Sequence, residues 1–308
     1  MAFRKEKLLM RSAALLLALA SFAAAQPAVD NVLERMVPPG ATSLVGARMD
    51  RIKQTEFYRK LIAAQPLPQL DQFARDTGFD PRRDVRELLY VNAPPGSVML
   101  ARGTFHVGTA TMKGMQKTRH GDYDIWGGDM GGFCILDSTL AIAGDVPAVE
   151  AALDEWKSGS HTAAQPLLAR VAAVSPQAQF WGISTGLAGF LAEHPPTVAP
   201  GLDFSKIFSG LRDTWFEVDL TTGLKAEVHG TTATEKDAIS LRDTVRGLVG
   251  LGRLQVPEKQ PELLRVWDGI TVDQQGRSIA LHVDIAQDLV DKLVRLLSAG
   301  PAAQRGVI

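Results

Sequence analysis

Cysteine is almost missing from this chain: of 308 residues, only Cys134 carries a thiol. A single thiol closes no internal disulfide, so the core must hold the fold by packing alone. Cys134 stands between Phe133 and Ile135 in an apolar run, where a buried, inert thiol is expected. A nucleophilic one would need a histidine or a helix N-terminus beside it. An excess of one charge is also missing. Lys and Arg number 33 against 34 Asp and Glu, for a formal net charge of -1, and no basic cluster is longer than Arg82-Arg83. A positive field is what draws proteins to nucleic acid and to anionic membranes, so neither is an expected partner. Long apolar runs are scarce too. The run from Ala13 to Ala20 falls far short of the ~20 residues that span a bilayer.

That run belongs to a leader. Arg4, Lys5, Lys7 and Arg11 precede it and Ala23-Ala24-Ala25 follow it, which is the three-part pattern of a secretory signal peptide over residues 1–25, cut after Ala25. No cysteine stands near the cut to take a lipid, so the expectation is a soluble, periplasmic or secreted protein with no membrane span after cleavage. The apolar share of 45% supplies a sizeable core. The length suggests two domains on the usual scale of roughly 100 to 200 residues each.

Turn signals divide the mature chain. TSLVGARMD reads as a strand, followed by helices over 52–64 and 68–77. RELLYVNA (86–93) and SVMLARGTF (97–105) flank Pro94-Pro95-Gly96 as a hairpin. A short helix is expected over 107–115, then a meander of DYDIW, GFCIL and TLAIAG. The helix PAVEAALDEW comes next, with Asp145 as N-cap and Pro147 in its first turn. After the polar stretch 157–165 the order repeats. QAQFWGIST is a strand, LAGFLAEH a helix, and TWFEVDL with GLKAEVHGT a hairpin. A long helix over 233–254, the short helix PELLRVW, the hairpin GITVD and RSIALHVDI, and the helix AQDLVDKLVRLL complete it. The expected fold is therefore α+β: two tandem similar halves, residues 26–160 and 161–300, each an antiparallel sheet with helices on one face, and a disordered tail over 301–308. A ferredoxin-like unit with an added strand and helix fits that order.

Three stretches carry possible chemistry. Gly182-Ile183-Ser184-Thr185-Gly186 spells the G-x-S-x-G of a hydrolase nucleophile elbow, which would make Ser184 catalytic. An elbow sits atop a parallel sheet, however, and hairpins dominate here. Asp219, Asp268 or Asp273 followed by His229 or His282 provide an acid and a base in the required order, but no HGGG-like oxyanion loop appears. Laying the halves over each other by their first strands sets Gly46 on Gly182 and Arg48 on Ser184, so the glycine repeats and the serine does not. Packing explains such a glycine.

In the second half, period-two alternation sends Glu217, Asp219, Lys225, Glu227, His229, His282 and Asp284 to one sheet face. Glu227, His229 and His282 are the candidate ligands for a divalent metal there. A solvated face of an antiparallel sheet accounts for the same pattern. RHGDYDIWGGDMGG, with His120, Asp122, Asp124 and Asp129, looks like a cation or phosphate loop, yet it matches neither the Ca2+ loop spacing nor a G-K-[ST] phosphate loop. Glycine and aspartate at a hairpin tip explain it more simply.

At TGFDPRRD (77–84) and AIAGDVPAVEAALD (141–154) the chain resembles uncharacterised exported bacterial proteins of duplicated α+β build. The resemblance rests on turn and cap residues, and implies fold and export without any catalytic assignment. With no complete catalytic constellation, the expected role is non-catalytic binding in the cell envelope, without a cofactor, to another protein, a peptide or an apolar ligand. A secreted hydrolase acting through Ser184, or through a metal on the His229/His282 face, is the alternative.

Overall fold

A computed structural model describes residues 29–62, 67–77, 79–105, 115–128, 131–159, 165–185 and 210–298. The expected leader and tail, the helices over 107–114 and LAGFLAEH, the C-terminal end of the 52–64 helix, and Gly78 lie outside the described residues.

The first half contains β1 Ser43–Arg48, β2 Val85–Ala93, β3 Gly96–Gly103, β4 Gln116–His120, β5 Tyr123–Gly128, β6 Gly131–Asp137 and β7 Leu140–Gly144. The second contains β8 Phe180–Ser184, β9 Arg212–Asp219, β10 Gly223–Thr231, β11 Ile270–Gln275 and β12 Ser278–Ala286. The helices are α1 Asn31–Glu34, α2 Met49–Ile52, α3 Pro68–Thr77, α4 Pro81–Asp84, α5 Val146–Ser158, α6 Gln165–Val171, α7 Glu235–Leu254, α8 Leu264–Asp268 and α9 Gln287–Ser298, with a π-helical turn at Tyr58–Ile62. The helix expected over 52–64 is thus broken into α2 and that turn, because Thr55 directs its hydroxyl back to the Ile52 carbonyl (2.7 Å) and accepts from the Tyr58 N–H (3.1 Å).

Local chemistry sets the helix ends. Thr234 and Asp237 form a reciprocal capping box that starts α7. Gly159, at φ 67°, ends α5 in the left-handed region that a side chain disfavours. Asp145 does occupy the N-cap of α5, but its carboxylate accepts from the Ser97 N–H (2.8 Å) instead of from its own helix. It therefore ties α5 to the start of β3.

The chain is α+β, as expected, and the strands among the described residues form one sheet. The order of the 12 strands is β11-β12-β10-β9-β8-β1-β2-β3-β7-β6-β5-β4, and every neighbouring pair is antiparallel. The two halves therefore do not carry separate sheets. β1 and β8 pair along their length, from Ser43 opposite Ser184 to Ala47 opposite Phe180, and their ladder carries the sheet across the expected boundary. The ferredoxin-like order is not observed. That unit needs a helix to link two parallel strands with a third between them, whereas β1 and β2, which the helical connection joins, are antiparallel neighbours.

Because paired residues point to the same side, the registers divide the sheet into two faces. The front face carries Leu44, Leu89, Val91, Val98, Leu100, Ile142, Trp181 and Ile183, all buried. Leu33 of α1, Val149 and Leu153 of α5, and Leu167 and Val171 of α6 pack on it. In the second half α7 and α9 lie on the back. Leu241 and Val245 of α7 pack with Val272 and Ile279, and Leu289, Val290 and Val294 of α9 pack with Ile285. Strand order does read alike outward from β1 and from β8. A half-turn carrying β1 onto an antiparallel β8 would, however, keep the helices on one face. Among the described residues α5 lies on the front whereas α7 and α9 lie on the back, so the repeat of element order does not make the halves superposable in this way.

Candidate functional site

Ser184 is a sheet residue and does not stand at an elbow. It ends β8 in the middle of the sheet, is buried, and its hydroxyl lies 2.8 Å from that of Ser43, its register partner. It points to the back face. His229 is paired with Trp215, which is paired with Ile183, and His282 follows through Glu227 and Glu217 to Trp181, so both imidazoles stand on the front. A base on one side of a sheet cannot take a proton from a hydroxyl on the other, and the expected order of serine, acid and histidine does not assemble.

The glycines beside it have packing roles. A Cβ on Gly182 would lie 2.2 Å from the Phe216 ring, and one on Gly46 would lie 2.2 Å from the Trp181 indole. Each glycine lets an aromatic ring from a neighbouring strand lie flat on the backbone. The two rings do so on opposite faces, Trp181 in the front core and Phe216 on the back.

The second candidate set does converge. His229 Nε2 stands 3.3 Å from Glu227 Oε2, and His282 Nδ1 stands 3.8 Å from Glu227 Oε1. His229 stacks on Trp215 with ring centroids 4.1 Å apart and meets His282 edge-on at 5.8 Å. Alternation had placed these residues on one face, and the register places them side by side. Even so, among the described residues no group of three or more His, Cys, Asp or Glu is disposed to hold a metal ion. A cavity of about 360 Å3 beside them is lined by Glu217, Asp219, Lys225, Glu227, His282 and Asp284. Glu217 accepts from the Ser175 N–H (2.9 Å) and Asp219 from the Thr221 N–H (2.8 Å). Burial pushes the Asp219 carboxyl up, but hydrogen bonds from Thr221 and Gln179 outweigh it and hold the group below its ordinary range. These contacts make the face a hydrogen-bonded, solvated surface.

The third stretch is explained by polar pairing with neighbouring side chains. His120 Nε2 lies 2.8 Å from Asp154, Asp122 pairs with Lys157 at 3.2 Å, and Asp124 pairs with Lys117 at 2.6 Å. The first two pairs dock the hairpin tip on α5, and the third links β4 to β5; Asp129 lies outside the described residues. Cys134 is buried, and burial pushes its thiol up to about 11, which leaves it protonated and unreactive.

The surface that distinguishes this molecule lies on the back of the first half. Val45, Leu88, Tyr90, Met99, Phe133, Ile135 and Phe180 share that face, and Phe216 continues it onto β9. All are half-buried, in contrast to the fully buried front face of the same strands. Among the described residues none belongs to an apolar cluster that a helix closes. These half-buried side chains form a broad apolar face across the central strands that no described helix closes, with Lys117 and Arg119 on the same face at the β4 edge.

No family model and no curated protein matches the chain. Among solved structures it is similar to TP0453, a Treponema protein. Crystal form III of that protein gives a TM-score of 0.53 at 8% identity, over 87% of this chain and 98% of the other. Crystal forms I and IV of that protein give 0.46 and 0.44. The similarity is one of fold alone.

Proposed function

We propose that this is an exported, non-catalytic binding protein of the bacterial cell envelope, and that it holds an apolar ligand of hydrocarbon character against the back of its first-half strands. One observation carries the reading. β1, β2, β3 and β6 are apolar on both sides, yet among the described residues helices close only the front. An extended apolar surface on a soluble protein marks a place where something apolar binds. Its position favours a ligand over a strand-adding peptide, since β-augmentation uses a sheet edge and this surface spans interior strands. Export rests on the charged, apolar and small-residue pattern of residues 1–25. Among the described residues no helix is long and apolar enough to cross a membrane.

The test is a titration of the purified chain with Nile red, a neutral apolar probe. Saturable binding is expected. Met99→Asp, which sets a carboxylate in the middle of the surface, should weaken it by at least ~10-fold, because a charge facing hydrocarbon loses its hydration. Glu227→Ala, on the polar front of the second half, should leave it unchanged. Absence of saturable binding, or equal affinity in Met99→Asp, refutes the reading.

A further inference from the structure

The front face of the first half is apolar until its last row. There β1, β2 and β3 set Arg48, Glu87 and Arg102 side by side, with Glu87 the register partner of Arg48 on one strand and of Arg102 on the other. Charged side chains at core positions need partners. Arg48, only 5% exposed, donates from one guanidinium nitrogen to the carbonyls of Pro176 (2.7 Å) and Ala178 (3.2 Å). Arg102 donates to Asp30 Oδ2 at 3.2 Å and to the Thr139 hydroxyl at 2.7 Å. Glu87 accepts from the Asp30 N–H at 2.9 Å.

This row floors a cavity of about 210 Å3. The register shift between Val85 and Glu87 brings Arg86 to the same cavity, and Arg51 reaches it from α2. The lining thus holds four guanidinium groups against the carboxylates of Asp30, Asp50 and Glu87. Two of those carboxylates have local duties: Asp30 caps α1 through the Val32 N–H (2.8 Å), and Asp50 accepts from the Arg51 N–H (2.9 Å).

We infer that this cavity is an oxyanion-binding site, in which arginines from β1, α2, β2 and β3 converge on a carboxylate, sulfate or phosphate group. Guanidinium forks take two oxygens of such a group at once, which is the shared chemistry that recognises all three. Glu87 is the built-in competitor, its carboxyl set in register between Arg48 and Arg102 and accepting from the Asp30 N–H. Burial pushes its carboxyl up to about 7; the charges of Asp30 and Asp50 add to this, while the Asp30 N–H and Arg48 oppose it. The charged groups around it are Asp30, Arg48, Asp50, Arg51, Arg86 and Arg102. Protonation of Glu87 removes the competitor and raises the positive charge of the cavity by one, so an entering anion is bound together with a proton. The site lies on the front face, opposite the apolar surface, and stands whether or not that surface binds a ligand.

Calorimetric titration of the whole chain with sulfate tests this, with acetate in parallel, at pH 5.5 and 8.0. Sulfate should bind ~10-fold more tightly at pH 5.5, the change expected when one group titrating near 7 must be protonated. Glu87→Gln should bind at pH 8.0 as tightly as the natural chain does at pH 5.5, with the pH dependence gone. The double variant Arg51→Met, Arg86→Met should lose at least ~10-fold at both values, with a thermal melt to establish that it folds. Tighter sulfate than acetate identifies a dianion and equal affinities a carboxylate; both support the site. No sulfate-dependent heat at either pH, undiminished binding in the double variant, or an unchanged pH dependence in Glu87→Gln overturns it.

Discussion

Two glycines and a glutamate show how much a single position decides here. Gly46 and Gly182 let aromatic rings lie on the central ladder, Trp181 in front and Phe216 behind. Adding a methyl forces the ring away. Gly46→Ala should therefore cost about 1–3 kcal/mol in urea unfolding, the usual range for overpacking, and Gly182→Ala should cost less, because Phe216 is only half-buried. Ser184→Ala removes one side of a buried hydroxyl pair with Ser43. A loss of about 1 kcal/mol is expected, with Nile red binding unchanged and no labelling of the natural chain by a fluorophosphonate. Glu87 gives stability a pH dependence. Its folded pKa of about 7 lies above the ordinary 4.5, so the folded state holds the proton more tightly. Its contribution is fully present below about 4.5 and is lost as pH rises to about 7, by up to about 3 kcal/mol. Urea midpoints from pH 4.5 to 8 should fall in the natural chain, and the part of that fall due to Glu87 should vanish in Glu87→Gln.

At the scale of elements, strand and helix identity followed from pattern wherever the pattern was strong. α3 begins and ends where Pro68 and Thr77 predict, and β9 with β10 and β11 with β12 pair as the expected hairpins. β4 escaped the reading because Gln116–His120 is polar at both parities and exposed, so it carries no period-two signal. The arginine row escaped it as well, although a signal existed: Arg48, Glu87 and Arg102 occupy the same parity as the buried Leu44, Leu89 and Leu100. A charge at core parity marks either strain or a site. The metal candidates illustrate the reverse. Alternation placed Glu227, His229 and His282 together, but it does not report the distances a metal needs. Helix caps are the most local feature of all. Thr234→Ala should destabilise the chain by about 1 kcal/mol through loss of the α7 capping box, measurable as a lower urea midpoint at unchanged slope.

For the molecule as a whole, the informative contrast lies between its two sets of strands. β10, β11 and β12 of the second half alternate, with apolar residues toward α7 and α9 and polar or charged ones toward water. The central strands of the first half, LLYV in β2 and VMLA in β3, are apolar at successive positions, the pattern of strands covered on both sides. That difference was legible in the sequence. The opposite placement of the helices was not, because it depends on the register of β1 against β8, a long-range pairing that no local pattern encodes. Together they give the apolar back face, closed by no described helix, that the binding proposal rests on. The most direct test is Nile red titration of the natural chain beside Met99→Asp. Saturable binding that falls by at least ~10-fold in the variant is the predicted result; equal binding in the two, or none in either, contradicts the account.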